Sequence, residues 1–242
     1  MAKDEAAVGI SHEALRAYYE KRPVEYGFAS QCKMTLLGDI KGKRVLDVDC
    51  RRGKGVIKLS DYVGPKGFAM GVDPSAEWIE VALSFMEDAW RRNGLPCNNM
   101  AYQVAYPEDL AAAGLDDCSF DMVFANSSIS LDYAPAQVVR EIARVLRPGG
   151  LFVYDGVVAE VDRDAVAIEQ ARLIGNAIQA SPSRAGFERM VAAAGFDAPE
   201  YYEEHEVQPN TGYKDDYEVP TVKTDEDVRF IKTTARIFKP RR

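Results

Sequence analysis

From residue 44 onward, short apolar runs alternate with longer segments whose apolar positions recur every three or four residues. "RVLDV" reads as a buried strand, and "GVIKLSDYVG" as a helix that stops at Gly64. "GFAMGVD" is a second strand. "PSAEWIEVALSFMEDAWRRNG" is a helix capped by Ser75, with Trp78, Ala82, Met86 and Ala89 predicted on one face and Gly94 at its end. A weaker strand near "AYQVA" and a firm one at "FDMVFAN" follow. The helix "APAQVVREIARVLR" then carries Val138, Ile142 and Val145 on one face, "PGG" forces a turn, and "LFVYDGVV" forms another strand. Strands that alternate with helices need crossover connections, which predicts a parallel sheet covered on both faces.

The flanks differ from this repeat. "SHEALRAYYEKRP" predicts a short helix with Ser11 as its N-cap and Pro23 beyond its end. Helices are expected within "RDAVAIEQARLIGNAI" and from Ser183. Two late strands, "YYEEHEVQ" and "DVRFIKTTARIFK", bracket a polar loop over 209–226, expected at the surface because it holds Pro209, Gly212, Pro220 and many charges.

Composition narrows the classes of function. The chain has 242 residues, 47% of them apolar, with a net charge of −8. An acidic chain has no surplus of Lys and Arg to displace counterions, so no nucleic-acid partner is expected. Cys32, Cys50, Cys97 and Cys118 lack paired spacing, and only His12 and His205 could join them. No metal site is therefore expected, and the cysteines read as reduced thiols. The N-terminal "MAKDEAAVGI" has no apolar targeting core and no segment reaches the length of a membrane span, which points to a soluble, cytoplasmic protein without a membrane partner.

The candidate chemistry begins at "DVDCRRGKG", residues 47–55, at the carboxyl end of the first strand of the repeat. Ligands of doubly wound sheets sit at such ends, where glycines give positive φ and let a ligand approach the backbone. Asp73 lies twenty residues beyond Gly53, the offset of an acid that accepts from both ribose hydroxyls. With "DDCSFDMVFANSSISL" and "VLRPGGLFVYD", the segment 40–157 resembles the class I S-adenosylmethionine-dependent methyltransferases, whose first motif is "VLDxGCGxG" and whose "LRPGG" precedes strand five. The resemblance implies a Rossmann-like, seven-stranded, mostly parallel sheet with an antiparallel last hairpin. Residues 1–39 would then form an N-terminal helical cap, 40–157 the cofactor-binding core, and 158–242 cap helices plus the hairpin that completes the same domain.

It also implies S-adenosylmethionine as cofactor, held by Asp47, Val48, Asp49, Arg51, Gly53, Asp73, Pro74, Pro107, Glu108 and Asn126. Asp73 would bind the ribose, Pro107 and Glu108 would border adenine, and Asn126 would lie beside the methionine part. Asp49 and Arg51 stand where the family has glycine. Asp tolerates a left-handed backbone, while Arg there costs about 1 kcal/mol or more. Either the two side chains meet the charges of the methionine tail, or a cluster of Asp49, Arg51 and Arg52 satisfies itself and fills the space.

Within that family the chain resembles the arsenite methyltransferase branch. "FANSSISL" is similar to the branch's "SNCVINL", "VRFIKTTARIFK" to "RFYSITYRLFK", and "ARLIGNAIQAS" stands where the branch has "LWGECIGGA". The branch's later thiol positions read Ser127 and Ala177 here, which leaves Cys32 as the remaining counterpart; arsenite methylation is not expected, since it would need Cys97 or Cys118 to be recruited. Substrate candidates are Cys32, Ser127 and Ser128, and catalytic candidates are Tyr19, Ser127 and Asp155. His12 and His205 are expected to be solvated, Cys50 buried, and Asp155 to face the site or bond its own loop. Two functions remain open: methyl transfer to a small-molecule acceptor, or a catalytically inactive or repurposed relative that binds another ligand or a partner.

Overall fold

A computed structural model describes residues 10–23, 34–36, 38–210, 219–225 and 227–241. Cys32 and the acidic stretch "YKDDYE" lie outside the described residues. The elements follow the order α1 (His12–Tyr19), β1 (Arg44–Val48), α2 (Lys54–Val63), β2 (Phe68–Asp73), α3 (Ala76–Arg92), β3 (Met100–Val104), β4 (Phe120–Asn126), α4 (Pro135–Val145), β5 (Leu146–Ala159), α5 (Ala165–Leu173), α6 (Arg184–Ala193), β6 (Glu200–Val207) and β7 (Phe230–Phe238).

The sheet has the order β3-β2-β1-β4-β5-β7-β6. β1 pairs in parallel with both β2 and β4, and β7 runs antiparallel between β5 and β6. This is the expected seven-stranded, mostly parallel sheet with an antiparallel last hairpin. The period-2 pattern of the strands explains how both faces fill. Val45 packs with Val56, Leu59 and Val63 of α2, whereas Leu46 and Val48 face the opposite core with Val138 and Ile142 of α4 and Phe187 of α6. Asp47 shares the face of Val45, so its carboxyl group points beneath α2, where a Cβ on Gly55 would collide with it.

The predicted caps form. Ser11, Ser75 and Ser183 accept from backbone N–H groups at the starts of α1, α3 and α6, and Gly64 ends α2 with φ +66°. Three expectations need correction. α3 seats through Ile79, Ala82 and Ala89 rather than through Trp78, which stays half-buried. β5 begins at Leu146, because the "RPGG" turn is a register irregularity within a strand that pairs Phe120 with Leu146 and Met122 with Leu151. Parts of the loop after Pro209 are packed: Asn176 donates to the carbonyls of Pro209 and Pro220, Val219 is buried, and Arg163 pairs with buried Asp225. Among the described residues no helix is long and apolar enough to cross a membrane.

One buried side chain ties the amino end of β3 to the end of α2. Asn99 accepts from the Ser60 hydroxyl at 2.6 Å and donates to the carbonyls of Ser60 and Gly64 at 3.1 and 2.9 Å. Asn99→Ala leaves these groups buried without a partner. It should lower the unfolding free energy in urea by about 2–3 kcal/mol; a change under about 0.5 kcal/mol contradicts this role.

Candidate functional site

The loop from β1 to α2 is wound through left-handed residues. Asp49 has φ +54°, Arg51 φ +51° and Gly53 φ +77°. Such angles cost a non-glycine residue about 1–2 kcal/mol, so the surroundings must enforce them. Cys50 donates its N–H to the Val72 carbonyl at 3.0 Å, and Gly53 donates to the Cys50 carbonyl at 2.9 Å. The Arg51 N–H reaches the carboxylate of Asp73 at 2.9 Å. A side chain at Gly53 would be strained: its φ is positive, and a Cβ would stand 2.7 Å from the Tyr102 ring, whose hydroxyl donates to the Gly53 carbonyl, so the ring would have to shift.

This winding turns Asp49 inward. Its side chain is fully buried, and neither carboxylate oxygen has a hydrogen-bond donor. Four other buried carboxyl groups surround it: Asp47, Asp73, Glu108 and Asp132. Burial, reinforced by Asp49, pushes the proton affinities of Asp47 and Asp132 well above the ordinary carboxylate range. The same two causes raise Asp73 to about 6, against the pull of the N–H groups of Ser75 and Arg51. Glu108 is raised by burial and is better satisfied, accepting from Tyr19 and from the N–H of Ala134.

Helix α1 and the residues just past its end supply the counterweight. Arg22 places Nη1 3.1 Å from Asp132 and 3.7 Å from Asp49. The Tyr19 hydroxyl lies 3.0 Å from both Glu108 oxygens and 3.3 Å from Asp132, and burial raises its pKa well above that of free tyrosine. The Tyr18 hydroxyl donates to the Leu131 carbonyl at 2.6 Å, and the Tyr19 ring stacks on Tyr106 at 5.5 Å. His12, expected to be solvated, sits 2.7 Å from Asp109 and edge-on to Tyr106, a pairing across 97 residues that local sequence does not disclose.

Between α1 and the start of α3 lies a cleft of about 440 Å³. It is lined by Tyr19, Arg22, Asp73, Pro74, Trp78 and Tyr106, among others. The Arg51 guanidinium is 6.0 Å from the Trp78 ring. The partner of Asp49 is therefore Arg22, a residue the sequence reading did not single out, and not the loop arginine.

Other expected site residues lie elsewhere around the carboxyl ends of the strands. Val48 is packed in the core, and Pro107 is buried. Asn126 ends β4 opposite Asp155, and Ser127, at φ +60°, donates its N–H to the Asp155 carbonyl at 2.7 Å. Ser128 is buried with its hydroxyl unpartnered. The Asp155 carboxylate does not bond its own loop; it pairs with buried Lys232 of β7 at 2.6 Å. Arg22, Asp132 and Lys232 were missed because they are single residues in ordinary surroundings, brought in by helix docking or strand pairing. Cys50 is buried as expected. Among the described residues, no group of His, Cys, Asp and Glu could hold a metal ion.

The family model of the methyltransferase domain matches residues 39–203. The arsenite methyltransferase of Aquipseudomonas alcaligenes is 28% identical over 208 residues, covering 86% of this chain and 58% of that protein. The arsenite methyltransferase of Mus musculus is 31% identical over 131 residues, 54% of this chain and 35% of that protein. The chain thus spans between 35% and 58% of the lengths of these two relatives. The crystal structure of the arsenic(III) S-adenosylmethionine methyltransferase of Chlamydomonas reinhardtii superposes with a TM-score of 0.76 at 28% identity, covering 93% of this chain and 73% of that one.

The raised Asp73 carboxyl predicts a pH dependence. A group with a folded pKa of about 6 favours the folded state below its unfolded pKa, and that contribution is lost as pH rises through about 6. The stability of the wild type relative to Asp73→Asn should fall by roughly 2 kcal/mol between pH 4 and 7 in urea titrations; a difference that is flat with pH contradicts the assignment.

Proposed function

Because this chain belongs to the methyltransferase domain family, within the S-adenosylmethionine-dependent class I branch related to arsenite methyltransferases, we propose that it binds S-adenosylmethionine in the cleft beneath α1 and methylates a small-molecule acceptor. The observation that carries this reading is Asp73: a buried carboxylate at the carboxyl end of β2 that lines the cleft. Each of its oxygens is fixed by one backbone N–H, from Ser75 and from Arg51, which leaves acceptor capacity for two ribose hydroxyls.

The donor set fits the cofactor. Tyr19, Tyr106 and Trp78 give the cleft aromatic walls for a purine, with Pro74 beside them. Asp47 and Asp49 lie where the resemblance places the methionine end, with Gly53 keeping the loop turned. Pro107, Glu108 and Asn126 complete the set, and Val48 supports it from the core. When bound, the cofactor supplies an electrophilic methyl group on a sulfonium. The chain's own part is to hold donor and acceptor in line and to exclude water, and α1, latched by Tyr18, Tyr19 and Arg22, is placed to do so. Tyr19 is thus assigned to closure and to the cofactor side. Ser127 and Ser128 remain the acceptor-side candidates, and Lys232 holds Asp155 as a buried structural pair.

The inactive alternative rests on Asp49 and Arg51 standing where the family has glycine, and the pairing of Asp49 with Arg22 rather than with its own loop does not favour it over the main reading. Arsenite is disfavoured as acceptor. Ser127 and Ala177 replace two thiols, and Cys97 and Cys118 precede β3 and β4, at the end of the parallel strands remote from the cleft. The residues around 158–200 and α1 would shape the acceptor space, and the reduced thiols fit action in the cytoplasm.

Calorimetry should give micromolar binding of S-adenosylmethionine to the wild type and at least a tenfold weaker affinity for Asp73→Ala, with no methylated arsenic formed from arsenite and a thiol. Absence of binding at millimolar ligand, or an Asp73→Ala variant that binds as the wild type does, contradicts the reading.

A further inference from the structure

Among the described residues, Asp49 and Asp132 are buried acids with unpartnered oxygens. Both side chains are fully buried. Asp49 accepts no hydrogen bond, and Asp132 accepts only through Oδ1, from Tyr19 at 3.3 Å and Arg22 at 3.1 Å, so its Oδ2 is also unpartnered. Arg22 is 3.7 Å from Asp49, an ionic contact too long for a hydrogen bond. Among the described residues, Arg22 is the cation in contact with both carboxyl groups, which also face Asp47, Asp73 and Glu108, with Tyr19 alongside. Arg22 and Tyr19 both line the cleft and both touch this pair, so a ligand in the cleft that displaces these two side chains approaches it. No described group of residues could ligate a metal ion there, and the aromatic side chains alongside suit an organic cation.

We propose that Asp49 and Asp132 form an organic-cation subsite that makes the protein select a ligand carrying a sulfonium or ammonium charge over its neutral counterpart. The proposal rests on the methyltransferase reading and adds to it a role for the aspartate that stands in place of a glycine. If the sulfonium is the charge that is read, loss of the methyl group removes the attraction, and the spent cofactor is released in preference to the fresh one. Burial and Asp49 raise the proton affinity of Asp132, and a cation beside it lowers that affinity again, so entry of the cation favours proton release.

The test is calorimetric titration of the wild type, Asp49→Asn and Asp49→Gly with S-adenosylmethionine, S-adenosylhomocysteine and 5′-methylthioadenosine. The first carries sulfonium, ammonium and carboxylate, the second ammonium and carboxylate, the third none of these. Comparison of each ratio between wild type and variant isolates the charge that Asp49 reads. Glycine adopts the φ of residue 49 without strain and asparagine tolerates it, so both variants should fold. The wild type should favour S-adenosylmethionine over S-adenosylhomocysteine by about tenfold or more, and both variants should compress that ratio to within about threefold. If the ammonium is the charge read, the ratio of the second to the third ligand collapses instead. Repeating the titration in buffers of different ionisation enthalpy should reveal proton release in the wild type and its loss in Asp49→Gly. Variants that retain both ratios overturn the proposal and leave the methyltransferase reading standing; a wild type that binds none of the three ligands overturns both.

Discussion

The arrangement of this molecule turns on the crowding of Asp47, Asp49, Asp73, Glu108 and Asp132 at the carboxyl ends of β1 and β2 and in the connections after β3 and β4, against the guanidinium of Arg22, the described cation in contact with Asp49 and Asp132. Burying a carboxylate costs several kcal/mol unless it is paired or protonated. Proton uptake and the contact with Arg22 offset part of that cost, and the geometry leaves Asp49 with no hydrogen bond at all. A protein does not hold such a cluster for stability, since apolar residues of similar size would pack more favourably.

The same crowding accounts for the role of α1. The helix carries Leu15 as its one buried apolar side chain, so its docking depends heavily on polar groups: Tyr18 to a carbonyl, Tyr19 to Glu108 and Asp132, and Arg22, just beyond its end, to Asp132 and Asp49. The same side chains thus wall the cleft and contact the acid cluster. A segment held by a few charge-dependent contacts opens at lower cost than one seated in a core. The strain in the loop belongs to the same design: left-handed angles at Asp49 and Arg51 aim one side chain into the cluster and the other toward Trp78.

Much of the fold was legible from apolar periodicity, because strands buried on both faces and amphipathic helices with serine caps leave strong local marks. The misreadings lay where tertiary contacts outvote local pattern, as at Trp78, at the start of β5 and in the packed end of the loop after Pro209. For the site, the left-handed angle at Asp49 followed from residue type, and Asp73 from its offset to Gly53. Arg22, Asp132 and Lys232 left no such mark. Each is one charged residue among many in an acidic chain, and its importance arises only when α1 docks or β7 pairs with β5.

The most direct measurement is a crystal structure grown with S-adenosylmethionine. The account predicts ribose hydroxyls on the Asp73 carboxylate, the charged end of the ligand beside Asp49 and Asp132, and Arg22 moved from its place between them. A structure in which Arg22 still pairs with Asp49 and Asp132, while the ligand is absent or seated away from Asp73, would contradict it.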